Sequence, residues 1–323
     1  MFSFDQYDAA RKSAIVLDRS SQGKLGFAGS DRASFLHGLL TNDIAGIRKG
    51  HGVYAAYLTA QGRMISDMRV IETGDRMLLD VEGRLGGALA ARFDKLIFSE
   101  DVQVYDLSAD LAEFGVHGPA AALVLERATG LLAARLVSQY ENLTGQGVII
   151  VRDDSLGLNG FDCYVERAHA DELRAKLVAA GAKPSSEATA EVLRIEAGRP
   201  RFGVDMDTET IPLEAGIEDR AISLTKGCYV GQEVIVRVLH RGHGRVARRL
   251  VGIVLPAGSP PSAGDPILAA NQQVGAVTSG AASPLMGTPI ALGYVQRDHA
   301  NPGSEVLVGN QTARVHRLPF SRG

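Results

Sequence analysis

From Leu250 to Phe320 the chain reads "LVGIVLPAGSPPSAGDPILAANQQVGAVTSGAASPLMGTPIALGYVQRDHANPGSEVLVGNQTARVHRLPF", short β-type runs punctuated by Gly and Pro. No part of it has helical periodicity, so its apolar residues can be buried only from strands. A set of short strands protects its edges best by closing on itself, and a small antiparallel β-barrel is the expected fold. The texture changes near Arg245. That divides the 323-residue chain into a region 1–245 and a barrel domain 246–323.

The region before the boundary mixes helices and strands. "GSDRASFLHGLLTND" reads as a short helix, with Ser30 or Asp31 able to cap it and Phe35, Leu36, Leu39 and Leu40 on one face. "GVYAAYLTAQGRMISDMRVIETGDRMLLDVE" reads as strands with turns at Gln61-Gly62 and Gly74-Asp75, followed by a helix through Leu85, Leu89 and Phe93. A second stretch repeats the plan: strand "GVIIVRD", turn "LGLNG", strand "FDCYVE", helix "AHADELRAKLVAAG". In both, a hairpin leads into a Val-Glu pair (Val81-Glu82, Val165-Glu166) and then a helix. The pattern predicts two similar α+β lobes.

Composition narrows the setting. Hydrophobic residues make up 45% and charged ones 22%, the balance of a soluble globular protein. No apolar run approaches the roughly 18 residues that span a bilayer. Asp5 and Asp8 precede any basic residue, against a secretory or transit segment. Only Cys163 and Cys228 are present, without a CxxC or His-rich companion, so the expectation is a reducing, cytoplasmic setting with no disulfide framework and no stable metal. Cys163, between Asp162 and Tyr164 in a strand, is explained as a small buried hydrophobe.

Cys228 lies in "KGCYVGQE" (226–233). Gly227 and Gly231 allow close backbone approach, and Lys226 places a positive charge beside the thiol, which favours the thiolate. The following "EVIVRV" favours a strand by its β-branched content. The competing reading is a helix starting near Gly231, with Glu233 in its first turn. Between 237 and 249, "RVLHRGHGRVARR" holds five Arg and two His with no acid. Around Arg237, Arg241 and Arg245 this is either a solvated face or a local anion site, for an acidic ligand or partner or, less favoured, a nucleic acid.

The octet resembles the signature of the YgfZ family of folate-binding iron–sulfur proteins, Lys-Gly-Cys-aromatic-x-Gly-Gln-Glu, in which Tyr229, Gln232 and Glu233 match as well. "FLHGLLTND", "AQGRMISD", "GVHGPAA", "LRIEAGRPRFGVD" and "PLEAG" follow in the expected order, and "VGAVTSG…ALGYV" resembles the barrel of the glycine-cleavage T-protein. The resemblance spans nearly the whole chain. It implies an α+β fold of two ferredoxin-like lobes around a central folate cavity, plus the C-terminal β-barrel. It assigns tetrahydrofolate or a one-carbon derivative as ligand, Glu196 as the carboxylate that pairs with the pterin, and Asn42 as a second contact. A pterin's exocyclic amine and adjacent ring N–H match one carboxylate bidentately. A salt bridge from Glu196 to Arg194 or Arg199 is the plainer alternative.

Two branches of this fold differ in chemistry. The aminomethyltransferase branch resembles a pattern Asn-Ala-x-x-x-x-x-Asp before the helix that follows "MLLDV". Here the position aligned with that Asp is Ala88, and the next acid is Asp94. The missing carboxylate and the present Cys228 point away from a T-protein aminomethyltransferase and to an accessory protein for iron–sulfur enzymes, with iron–sulfur clients as partners and Cys228 as the functional thiol. A folate-dependent aminomethyltransferase is the alternative reading, and a folate-binding scaffold with an incidental thiol is a third.

Overall fold

The computed structural model describes residues 1–242 and 244–321. It forms two compact units, one of Met1–Leu58, Ser66–Thr189 and Arg220–Val230, the other of Thr59–Ile65, Ala190–Asp219 and Gly231–Gly323.

The first unit holds two sheets. One has five strands in the order His51–Leu58, Met64–Glu72, Met77–Val81, Gly23–Ala28, Gln103–Asp106. The helix Gly86–Asp94 packs on the last two of these through Leu89 and Phe93, one helical turn apart. The Phe93 ring stacks on Tyr57 at 5.1 Å and meets Phe27 edge-on at 5.4 Å. The second sheet has six strands, in the order Lys183–Pro184, Ile15–Asp18, Leu111–His117, Gly160–Glu166, Val148–Arg152, Asn142–Gly145. The helices Ala121–Thr129 and Ala170–Ala179 pack against it and each other.

Strand alternation decides what each face carries. In Leu111–His117 and Gly160–Glu166, Ala112, Phe114, Val116, Phe161, Cys163 and Val165 enter the apolar core shared with Leu125, Leu173 and Leu177. Glu113, His117, Asp162 and Tyr164 take the opposite face, yet they are buried too. The hairpin–Val-Glu–helix echo is real at the backbone level. Glu82 (φ −55°, ψ 128°) and Glu166 (φ −54°, ψ 138°) each turn the chain into one 3-10 turn that leads into a helix.

The second unit contains a closed antiparallel barrel of six strands, in the order Arg248–Val254, Thr288–Gln296, Gln272–Ser283, Pro266–Ala269, Glu305–Val308, Gln311–His316. Val251, Ile253, Ile267, Val277, Val295 and Val315 fill its interior. "EVIVRV" is not a strand. Gln232–Val236 is a short helix, continued by a π-helical turn Arg237–Arg241. Gly231 sits at its start with φ 86°, a left-handed conformation that a β-branched residue resists, and Ile235 anchors the helix in the interior. Local tertiary anchoring overrides the β-propensity of the run.

Candidate active site

In the first unit the loop after the helix Arg32–Leu39 is fastened to the segment that leads to Cys228. The Thr41 hydroxyl donates to the Ala221 carbonyl at 2.6 Å and accepts from the Ala56 amide at 2.8 Å. Asn42 Nδ2 donates to the carbonyls of Tyr54 and Arg220 at 2.8 and 2.9 Å, and its Oδ1 accepts from the Asp43 amide. Both side-chain protons of Asn42 are therefore spent on backbone. Lys226 Nζ donates to the carbonyls of His37, Leu40 and Asn42 at 2.5, 2.7 and 2.9 Å. A cation at the carbonyl end of a helix is a favourable placement. Burial nevertheless draws the ammonium down to about 8. The expectation that Lys226 serves the Cys228 thiol is therefore replaced: its ammonium is directed to these carbonyls and lies 5.1 Å from the Tyr229 ring.

The segment held in this way carries Arg220, whose guanidinium lies over the Tyr54 ring at 5.0 Å. No carboxylate forms an ion pair with it among the described residues. The Tyr54 hydroxyl donates to Asp67 Oδ2 at 2.5 Å. Burial holds the Asp67 carboxyl above the ordinary carboxylate range, outweighing the Tyr54 bond and the Arg220 charge. The Tyr54 phenol is pushed well up, by burial first and by Asp67 second. A carboxyl that keeps its proton more readily, a phenol and an uncommitted guanidinium thus stand together. Such a set can hold or deliver a proton and receive an anionic or electron-rich group. Sequence reasoning singled out neither Tyr54 nor Arg220 nor Asp67. The available signal was a charged residue interrupting the apolar strand "MISDMRVIE".

The other expected site residues are dispersed. Glu196 ends the helix Glu187–Glu196 and is buried. Its Oε1 accepts from Ser283 Oγ at 2.6 Å and from the Leu285 amide at 3.1 Å. Cys228 is exposed and Cys163 is buried. Of the octet's remaining residues, Gly227 is exposed with no atom near where a Cβ would stand, Tyr229 is buried, and Gln232 and Glu233 open the short helix. Arg237, Arg241 and Arg245 are exposed and have no ion-pair partner among the described residues. His243, the second histidine of that run, lies outside the described residues.

Comparison with known proteins identifies the architecture. Residues 3–226 match the GCVT N-terminal domain, and residues 248–321 match the glycine cleavage T-protein C-terminal barrel domain. The chain belongs to the glycine-cleavage T-protein family. The aminomethyltransferase of Rubrobacter xylanophilus is 31% identical over 98% of this chain and 86% of its own length, and that of Synechococcus elongatus is 32% identical over 98% and 87%. The structure of the glycine cleavage aminomethyltransferase T from Bartonella henselae superposes with a TM-score of 0.90, at 25% identity over 98% of this chain and 88% of that one.

These findings correct the choice between branches. T-protein relatives that match nearly end to end are aminomethyltransferases. They overturn the reading as a YgfZ-type accessory to iron–sulfur enzymes that is not an aminomethyltransferase, and with it the iron–sulfur clients. Ala88 is an exposed position of the helix Gly86–Asp94. Among the described residues no helix is long and apolar enough to cross a membrane.

Proposed function

We propose that this chain is a tetrahydrofolate-dependent aminomethyltransferase. The observation that carries the proposal is the similarity to aminomethyltransferases over 98% of the chain, through both the N-terminal region and the barrel. In the proposed reaction an aminomethyl group leaves the thiol of a carrier protein. Its carbon is bonded to two nitrogens of the folate, giving the methylene derivative, while ammonia and the free carrier thiol depart. The leaving nitrogen needs a proton and the thiolate must be released, so a carboxyl that keeps its proton more readily than usual is useful. Asp67, hydrogen-bonded to Tyr54, suits that role, and the unpaired Arg220 suits an anionic or π-rich partner.

Glu196 is proposed as the acceptor for the pterin's paired donors, with Asn42 holding the adjacent loop in shape. The exposed Arg237, Arg241 and Arg245 are proposed as the counter-charge for the carboxylates of the folate tail. Cys228 is proposed as an accessible functional thiol of the same protein. The deciding experiment supplies aminomethylated carrier protein and tetrahydrofolate, and follows methylene-folate and ammonia together. Stoichiometric formation of both above a no-enzyme control is expected. A protein that binds tetrahydrofolate yet stays at background in this assay would overturn the proposal.

A further inference from the structure

A second set of chemically capable side chains does not include Asp67 and takes no part in the proposed transfer. His117 ends the strand Leu111–His117, Asp162 lies on its neighbour Gly160–Glu166, and Asp153 follows the strand Val148–Arg152. In the antiparallel register Gly160 faces His117 and Asp162 faces Gly115, which brings the two side chains to the same face. His117 and Asp162 are 0% exposed and Asp153 is 1% exposed. One donor atom from each lies within 4.8 Å of the other two.

Three features of this cluster are unexplained by a purely structural role. Both ring nitrogens of His117, and Asp162 Oδ1, have no hydrogen-bond partner despite full burial. Buried polar atoms without partners are costly and rare. Each carboxylate is also anchored by one oxygen. Arg69 binds Asp162 Oδ2, while Ser155 holds Asp153 Oδ2 through its amide at 3.0 Å and its hydroxyl at 2.5 Å. The remaining oxygens are hardly used: Asp153 Oδ1 is 3.4 Å from Arg69, and Asp162 Oδ1 is 3.7 Å from Arg19 Nε. Finally, the surrounding layer is over-supplied with acid. Among the described residues, Asp80, Glu113, Asp153 and Asp162 form ion pairs only with Arg19, Lys24 and Arg69.

We propose that His117, Asp153 and Asp162 form a buried site for one divalent first-row metal ion. An imidazole with two carboxylates suits zinc, iron(II) or manganese(II) better than calcium or magnesium, which favour all-oxygen shells. Arg69 and Ser155 act as outer partners that fix the carboxylate orientations, the usual arrangement around a bound ion. Gly115 keeps a side chain out of the cluster: a Cβ there would stand 2.8 Å from His117 Nε2 and 3.0 Å from Asp162 Oδ1.

The test uses the full chain, stripped with a chelator and titrated with Zn2+ by calorimetry and with Co2+ by visible absorption. One equivalent is expected, with Co2+ d–d bands. His117→Gln and Asp162→Asn should weaken binding at least roughly 10- to 100-fold, whereas His169→Gln, an exposed-histidine control, should not. X-ray absorption at the zinc edge of the wild type keeps the proposal falsifiable if the variants do not fold. A shell of nitrogen and oxygen that includes one imidazole supports it. A sulfur neighbour, which would place the ion at Cys228, overturns it. So does the absence of stoichiometric binding, which would leave a bridging water or a protonated His117 as what completes the cluster.

Discussion

Two buried arginines solve the same problem differently, one in each unit. In the second unit Arg194 donates to Asp205 Oδ2 at 2.7 Å, to Ser279 Oγ at 2.9 Å, to the Arg199 carbonyl, and to both oxygens of Glu191. Asp205 is completed by Thr278 Oγ1, Ser279 Oγ and the Arg201 amide, at 2.5, 2.7 and 3.0 Å. The hydroxyls come from the barrel strand Gln272–Ser283, at a register shift between Val277 and Ser279. Every oxygen of Asp205 is thus matched. In the first unit Arg69 serves Asp80, Glu113, Asp153 and Asp162 at once, and Tyr164 Oη accompanies it at 3.1 Å. That cluster still leaves Glu113 Oε2, Asp162 Oδ1 and both nitrogens of His117 without hydrogen-bond partners. A closed network is a clamp. An open one marks where something more is expected to bind.

The contrast predicts unequal costs. Arg69→Met strands several buried carboxylates together and should cost about 3–5 kcal/mol in urea unfolding. A loss below about 1 kcal/mol would mean that the cluster is already neutralised by protons, which breaks the contrast. Asp205→Asn keeps an acceptor and most hydroxyl bonds while removing one charge, so about 1.5–3 kcal/mol is expected. Costs as large as those of Arg69→Met would show the closed network to be equally strained.

Glu196, whose Oε1 accepts from Ser283 and Leu285, carries the comparison to ligand binding. Glu196→Gln should keep the fold and weaken tetrahydrofolate roughly 10- to 100-fold by equilibrium titration, the worth of one charge-assisted bond. Unchanged affinity removes Glu196 from the pterin.

Asp67 is expected to oppose stability rather than support it. Its folded pKa is raised, so above the ordinary carboxylate range the folded state binds more protons than the unfolded one. Its contribution to stability therefore falls as pH rises through the raised value. Asp67→Asn should match the wild type in mild acid and become slightly more stable above that window, while slowing transfer. Melting curves that run parallel across pH would show that burial does not perturb this carboxyl. Smallest of all is Cys228→Ser, expected within about 0.5 kcal/mol of wild type because the residue is exposed. It should also abolish iodoacetamide labelling of the native protein, since burial raises the Cys163 thiol far above its usual range. Labelling of Cys163 before unfolding would show that this core opens.

Legibility followed the range of the interactions. The barrel was readable from short runs between Gly and Pro, and the two lobes from the hairpin–Val-Glu–helix pattern, because both are written within a few residues. "EVIVRV" left strand and helix open because the run itself is β-prone, while Gly231 and the burial of Ile235 decide for the helix that starts near Gly231. Ala88 misled because one substituted position was asked to settle the chemistry of a whole chain. Tyr54, Asp67 and Arg220 were missed because Arg220 meets the Tyr54 ring only when Asn42 ties strand and segment together, 12 and 178 residues away from itself.

The order of local elements, the closed barrel and the burial of Cys163 were determined by the sequence alone, since alternation, turn residues and apolar spacing act over a few residues. Which charges meet was decided only by the tertiary structure. Arg69 reaches Asp80 from 11 residues away and Asp162 from 93, and nothing near either residue announces the other. Strand alternation says that Asp162 and His117 share a face. Only the packing of a second sheet over that face removes the water, and with it the partners that would otherwise have satisfied them.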